Sequence, residues 1–306
     1  MSGVDAVLRR ERAVVAGGLA ALTVLAWIHI WRGAGMGMSA LEMTRLALFP
    51  HAPPDPMAGM RSMPGMAMPG AASWTTVAAM WWVMMIAMMT PSAAPLVLLY
   101  GRVLRHHGVG EARGALESRG ERRSGGARGR SCAGGSGAAG GRPGPAYAPS
   151  AVLVLGYLLV WLAFSAIAAT LQVVLERTGL VSSSLLSSRS AVLSAGVLLA
   201  AGLYQLSPLK HACLKQCRGP VEFLTRHWRP GVGGALAMGA RHGAWCVGCG
   251  WMLMALLFVG GIMNLVWVAL LALLVLVEKV APRGPAVGRI AGGLLIAWGI
   301  ATLVVG

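Results

Sequence analysis

Residues 246–261 read CVGCGWMLMALLFVGG, and this stretch joins an apolar run typical of a membrane helix to two cysteines three residues apart. Apolar blocks of similar length recur along the 306-residue chain, and about 20 apolar residues are needed to cross the hydrocarbon core of a bilayer. Charged residues make up only 12% of the chain, about half of their share in soluble domains. The sequence therefore predicts an all-α, polytopic membrane helical bundle.

Seven hydrophobic segments are the predicted membrane helices. Three arginines precede the first segment, as in a signal peptide, but no A-x-A cleavage site follows it, and we favour an uncleaved anchor. The fifth and sixth segments are joined only by GGIMN, which predicts a tight helical hairpin. The segments are 13–31, 74–100, 150–174, 190–208, 243–259, 262–278 and 287–305.

The net charge of +16 is explained by membrane topology. With the N-terminus in the cytoplasm, 21 of the 26 Lys and Arg residues fall in cytoplasmic segments and five fall on the other side. Basic residues gather in cytoplasmic loops of membrane proteins. We therefore expect an N-in, C-out orientation, the lipid bilayer as the partner of the apolar surface, and no nucleic acid partner.

Five regions follow from this topology. Residues 1–31 are the cytoplasmic tail and first helix, and 32–73 are a Met-rich outer loop broken by Pro and Gly. Residues 74–100 form a Met-rich helix. Residues 101–149 are rich in Gly and Arg and are expected to be a flexible cytoplasmic loop, which contains Cys132 with no assigned role. Residues 150–306 form a five-helix membrane region that carries the remaining cysteines.

Four cysteines form two close pairs on the predicted cytoplasmic side, where thiols are kept reduced. Cys213 and Cys217 are i,i+4 neighbours if 209–218 is helical, and His242, Cys246 and Cys249 share one helical stripe in the first turns of the fifth helix. Thiolate and imidazole suit Cu(I) or Zn(II). Free cysteines also serve as small core residues, but two pairs at one membrane face favour a metal site.

Methionine occurs 18 times, and thioethers prefer soft ions such as Cu(I). Membrane methionines also fill gaps in helix packing. The exposed outer loop has no core to fill, so its repeated Met residues favour metal capture over chance, with a redox sensor as the weaker alternative. The candidate methionine ligands are Met84, Met85, Met88 and Met89 in the second segment and Met57, Met60, Met63 and Met66 in the outer loop.

Polar residues inside apolar segments are costly and often mark sites. Gln205 and Asn264 are such residues, although Asn264 is also placed to cap the sixth helix. Glu278 and Lys279 lie at a predicted helix end, where long side chains reach the interface at little cost. The sequence contains neither a Walker A motif nor a DKTGT-like phosphorylation site, so it offers no energy source for pumping.

Three motifs together resemble a bacterial family of predicted metal-binding integral membrane proteins, a domain of unknown function whose members are sometimes labelled copper chaperones. They are MWWVMMIAMMTPS (80–92), YQLSPLKHACLKQCRGP (204–220) and the stretch from GAWCVGCGWMLM (243–254) to the end of the sixth segment. The resemblance implies a location in the bacterial inner (plasma) membrane. It implies GCCW in many relatives where this chain has Gly248-Cys249-Gly250-Trp251. The implied site positions are Met84, Met85, Met88, Met89, Lys210, Cys213, Cys217, Cys246, Cys249 and Asn264.

Three functions are consistent with the sequence. The first is a Cu(I)-binding membrane protein for copper uptake, delivery or chaperoning, with zinc as the alternative metal and a copper protein or metal donor or acceptor as its partner. The second is a membrane thiol-disulfide oxidoreductase that uses the C-x-x-C pair, often with a quinone. The third is a scaffold subunit in which Met and Cys only pack. We expect a non-enzyme more than an enzyme.

Overall fold

The computed structural model describes residues 3–33, 41, 44, 73–124, 147–178 and 191–305, of which 3–11, 105–124, 147, 148 and 305 are described by their backbone alone. Within these residues every regular element is a helix, which confirms the all-α fold. Five helices are long and apolar enough to cross a membrane, and a sixth span exists if two helices joined at a sharp bend count as one. The helices are α1 Gly3–Trp31, α2 Trp74–Ser124, α3 Tyr147–Arg177, α4 Ala191–Leu206, α5 Pro208–Arg218, α6 Pro220–His227, α7 Gly231–Ala255, α8 Leu257–Gly260, α9 Leu265–Val280 and α10 Gly284–Val305.

Three helices are clearly longer than their apolar segments predicted, and the first of them, α1, begins at Gly3 and not at residue 13. α2 continues to Ser124, so the first half of the predicted flexible loop 101–149 is helical. No proline follows Pro95 until Pro143, and a helix can therefore extend into polar sequence. α7 begins at Gly231 and not near residue 243, because its first turns consist of small, weakly apolar residues that a search for apolar blocks passes over. The predicted count of seven spans and the orientation stay predictions.

α2 is the central helix of the bundle. Its four candidate methionines, Met84, Met85, Met88 and Met89, are at most 1% exposed, and all residues from 84 to 90, about two turns of the helix, are buried. A helix that is apolar and buried all round lies inside a bundle and not at its surface. α2 contacts α1, α3 and α9, and its methionines belong to the main hydrophobic core.

Glycines bring α3 and α7 into close contact. A Cβ atom on Gly239 would overlap the carbonyl oxygen of Leu153, and one on Gly243 would lie 3.1 Å from the carbonyl oxygen of Tyr157. The spacing of these two glycines is the G-x-x-x-G pattern that lets membrane helices pack backbone to backbone. The close contact fixes the face of α7 that carries the cysteines.

The short helix α5 lies at a 62° angle to α4, with only Ser207 between them. Ser207 has an extended backbone, and its side chain accepts a hydrogen bond from the Lys210 backbone N–H at 3.2 Å. Pro208 then occupies the first turn of α5, where a missing N–H does no harm. This capped break turns α5 across the ends of neighbouring helices and against α7.

Candidate metal centre

Three buried thiols from two helices form a cluster. Cys217 on α5 is 9% exposed, and Cys246 and Cys249 on α7 are 0% and 3% exposed. The Sγ atoms of Cys217 and Cys249 are 3.9 Å apart, and the Cys217 side chain also interacts with Cys246. The Cys249 thiol donates to the carbonyl oxygen of Cys246 at 3.2 Å. A close thiol pair therefore joins α5 to α7, across the two helices and not within the C-x-x-C motif.

The fourth thiol lies at the edge of this cluster. Cys213 is half-buried, and a Cβ atom built on Gly248 would lie 3.0 Å from its Sγ atom. Cys213 therefore packs over α7 next to Cys249. The two predicted cysteine pairs do meet, with three thiols inside the bundle and one at its border.

A buried lysine sits directly against the cluster. The Lys279 ammonium, near the end of α9, donates to Cys246 Sγ at 2.7 Å and to the Ser92 hydroxyl at 3.2 Å. The Tyr157 hydroxyl lies 3.1 Å from the same sulfur and 3.2 Å from the carbonyl oxygen of Met89. A neighbouring cation favours the thiolate, which is the form of cysteine that binds metals and acts as a nucleophile. Cys246 is thus placed to be a buried thiolate with Lys279 as its counter-ion.

The residue before Lys279 forms a second buried network. The carboxylate of Glu278 accepts from the Lys210 ammonium at 2.7 Å and from the Gln205 amide nitrogen at 2.7 Å. Gln205, Lys210 and Glu278 are each 2% exposed. The prediction that Glu278 and Lys279 reach the membrane interface is therefore wrong. Both charged groups lie inside the bundle, where Glu278 pairs with Lys210 and Lys279 contacts the Cys246 thiol.

Both ends of α5 are fastened to the end of α9. Lys210 at its start bonds to the Glu278 side chain, and Arg218 at its last residue donates to the backbone carbonyl oxygens of Glu278 at 2.5 Å and Ala281 at 2.8 Å. We call these contacts the α5 clamp. Because α5 carries Cys217, the clamp holds that thiol against Cys249 on α7.

Of two other predicted site residues, Asn264 has a structural role, and His242 is buried among aromatic rings. Asn264 caps α9, since its side-chain oxygen accepts from the Trp267 backbone N–H at 3.2 Å, and this confirms the capping alternative. The His242 ring is buried, lies 5.3 Å from the Phe223 ring and 5.8 Å from the Tyr157 ring, and its Nδ1 has no hydrogen-bond partner within the described part of the chain. Residues 32–40 and 45–72, with the outer-loop methionines 57, 60, 63 and 66, lie outside the described residues, as does Cys132.

No group of three or more His, Cys, Asp or Glu side chains in the described ranges is arranged to hold a metal ion. The predicted set of His242, Cys246 and Cys249 is therefore not assembled as one centre. The Cys217–Cys249 pair, in contrast, has a sulfur spacing that allows metal binding. Two sulfurs that lie about 2.3 Å from one ion are about 3.8 Å apart at a tetrahedral angle and about 4.6 Å apart in a linear arrangement. The observed separation of 3.9 Å lies within this range, so both sulfurs can contact one soft ion.

The contact of Lys279 with the thiols was not predicted from the sequence. Two basic residues that lie close to the cysteines in the sequence bond elsewhere: Lys210 pairs with Glu278, and Arg218 bonds to backbone oxygens. The available signal was the apolar block 265–280, in which Glu278 and Lys279 are the only charges. Val280 follows this pair within the same helix, so both charges lie inside the apolar block. Charges in such a position are candidates for burial.

These features define an α-helical membrane protein with a buried thiol cluster beside a lysine. Residues 78–120 and 138–302 match a family model described as a copper chaperone, designated PpoB2. This match spans more than half of the chain, so the chain belongs to that copper chaperone family, and the predicted resemblance is confirmed. No curated protein and no solved structure matches the chain. Fold and family together make it a membrane protein related to copper.

Proposed function

We propose that the chain binds Cu(I) between Cys217 and Cys249, with Cys246 as an adjacent thiolate. The observation that carries this proposal is the 3.9 Å separation of two buried sulfurs from different helices. Zinc in structural sites takes four ligands almost without exception, whereas the described residues supply no group of three. Soft thiolates select Cu(I) among the common metals. The family description supports copper as the metal.

The proposed role is to hold or deliver the ion within a bacterial inner membrane. The outer-loop methionines would capture Cu(I), and the α2 methionines Met84, Met85, Met88 and Met89 would lie between that loop and the thiols. All four α2 methionines belong to the same buried core as Cys246 and Cys249. Neutral thioethers bind weakly enough to pass an ion toward thiolates, which bind it more strongly. Seven spans and an N-in, C-out orientation complete the proposal.

Cu(I) titration of the purified protein against a chromophoric Cu(I) chelator tests this function. We expect one tightly bound Cu(I) in the wild type. The Cys217→Ser/Cys249→Ser variant should bind more than about a hundredfold more weakly, because loss of outer-shell partners alone already costs 10–100-fold. Cys132→Ser removes a thiol with no assigned role and is the control. Equal affinity in all three proteins would refute the proposal.

Thiol-disulfide exchange is the second candidate, and the contact between Lys279 and Cys246 at 2.7 Å favours it. Oxidation would join Cys217 and Cys249 as a disulfide and release two protons and two electrons, which a quinone would accept to become a quinol. The Cys217–Cys249 pair, with sulfurs 3.9 Å apart, is added as a candidate disulfide to the Cys246–Cys249 pair expected from the C-x-x-C motif. A metal-free protein that cycles reversibly between dithiol and disulfide with a quinone would select this function over Cu(I) binding.

A further inference from the structure

A basic cavity lies where α6 meets α7, and none of the thiols lines it. Its volume is about 270 Å³, and it is lined by His227, Arg229, Ala237, Met238 and Arg241. Three of these five residues carry cationic or ionisable nitrogen groups, and none of the five carries a carboxylate. The volume is slightly below the roughly 300 Å³ at which small-molecule sites begin. A small anionic group fits such a space.

The two arginines of this cavity have no counter-ion among the described side chains. Both are exposed at the surface, and neither has a hydrogen bond or ion pair with any described residue. Glu222 is the only acidic residue among 209–242, which contain six Lys and Arg residues. Its carboxylate already pairs with Arg226 at 2.9 Å. Among the described side chains, Arg229 and Arg241 therefore have no anion to neutralise them.

The backbone holds Arg229 over the start of α7. Gly231 has φ of +80°, a conformation that other residues rarely adopt. A Cβ atom on Gly234 would overlap the carbonyl oxygen of Arg229, so the turn packs directly on the first turn of the helix. Arg241 lies on α7, ten residues after Gly231, and lines the same cavity. Two arginines from the same segment, one before α7 and one on it, thus line one cavity. Guanidinium groups suit the several oxygens of a phosphate group.

The surroundings of the cavity are those of a membrane interface. Trp228, next to Arg229, is half-buried with its ring 5.7 Å from the ring of Tyr100. Val221 and Val232 on the adjoining helices are 62% and 66% exposed. Aromatic rings at the boundary between cationic and apolar surface are typical of the headgroup level. Basic pockets between membrane helices bind anionic lipid headgroups.

We propose that this cavity binds a phosphate-bearing anion, with the headgroup of an anionic phospholipid as its occupant. The site is separate from copper binding and does not depend on it. Native mass spectrometry of the full-length protein in detergent, titrated with dioctanoyl phosphatidylglycerol, tests this proposal. Arg229→Gln/Arg241→Gln should weaken lipid binding about thirtyfold, from roughly fivefold per basic residue near a membrane surface.

The matched control is Lys215→Gln/Arg226→Gln, which removes the same charge from the same part of the chain but lies outside the cavity. This control should change binding less than about threefold, and dioctanoyl phosphatidylcholine should bind more weakly than phosphatidylglycerol. Inorganic phosphate that binds with the same dependence on Arg229 and Arg241, while the lipid does not bind, would support the phosphate site with a free anion as its source. Equal losses in both double variants, or no binding of either probe, would overturn the proposal.

Discussion

Replacing Lys210 by Met should strongly destabilise the bundle, because it removes one half of a buried ion pair. The pair is 2.7 Å long, and its side chains are 2% and 3% exposed. At an effective dielectric constant of about 20, charges at this distance attract by about 6 kcal/mol before desolvation is subtracted. Breaking a buried pair by removing one partner costs about 3–5 kcal/mol. We expect Lys210→Met and Glu278→Gln each to lower the free energy of unfolding by that amount.

The double variant Lys210→Met/Glu278→Gln should be much closer to the wild type than the sum of the two single variants. It leaves no unpaired buried charge, and the new amide can still bond to Gln205, whose amide contacts Glu278 at 2.7 Å in the wild type. We expect a coupling free energy of about 3 kcal/mol between the two positions. Unfolding in mixed micelles, followed by circular dichroism, gives the four free energies of this cycle.

The exposed pair Glu222–Arg226 provides the control, because its side chains are 42% and 64% exposed. Removing Arg226 from this i,i+4 pair should cost no more than about 0.5 kcal/mol. If the two buried single variants also cost less than about 1 kcal/mol, or if their effects simply add, the α5 clamp does not contribute to stability as described.

Three further predictions concern the thiols and the packing around them. Lys279→Met should weaken Cu(I) binding by about tenfold or more through loss of the counter-ion, while Lys279→Arg should retain most of it, as measured by chelator competition. Gly250→Cys should strengthen Cu(I) binding at least about tenfold and Gly250→Ser should not, because a Cβ atom there meets only Met89 Cε, at 4.0 Å. Gly239→Ala should lower the unfolding temperature by overpacking α3 against α7, whereas Gly233→Ala, with open space around it, should leave it unchanged or higher.

The helical fold follows from the sequence because apolar blocks of membrane length have few alternatives. A chain inside a bilayer must satisfy its backbone hydrogen bonds internally, and helices do this within one segment. The polar extension of α2 and the glycine-rich start of α7 were not predicted, since neither is strongly apolar. Placing the start of α7 near residue 243 put Cys246 in its first turn, whereas it lies fifteen residues after Gly231.

The sequence predicted which cysteines are neighbours along one helix and not which thiols meet across helices, and their role as ligands stays a prediction. Helical spacing correctly put Cys217 near Cys213 and Cys249 near Cys246, but it says nothing about which thiols meet across helices. That depends on the 62° bend at Ser207, which is set by a cap, a proline and the contacts of α5 with α9. The contact between Lys279 and Cys246 spans 33 residues and is equally invisible to local patterns.

The end of α9 connects thiol chemistry to the stability of the bundle. Glu278 and Lys279 are adjacent in α9, so their side chains leave the helix about 100° apart. One reaches α4 and α5 through Gln205 and Lys210, and the other reaches α7 and α2 through Cys246 and Ser92. The Cys217–Cys249 gap lies between helices that this one helix end holds in place. Its width is therefore set by α9, and weakening the α5 clamp should slow oxidative cross-linking of Cys217 to Cys249 even when both thiols remain intact.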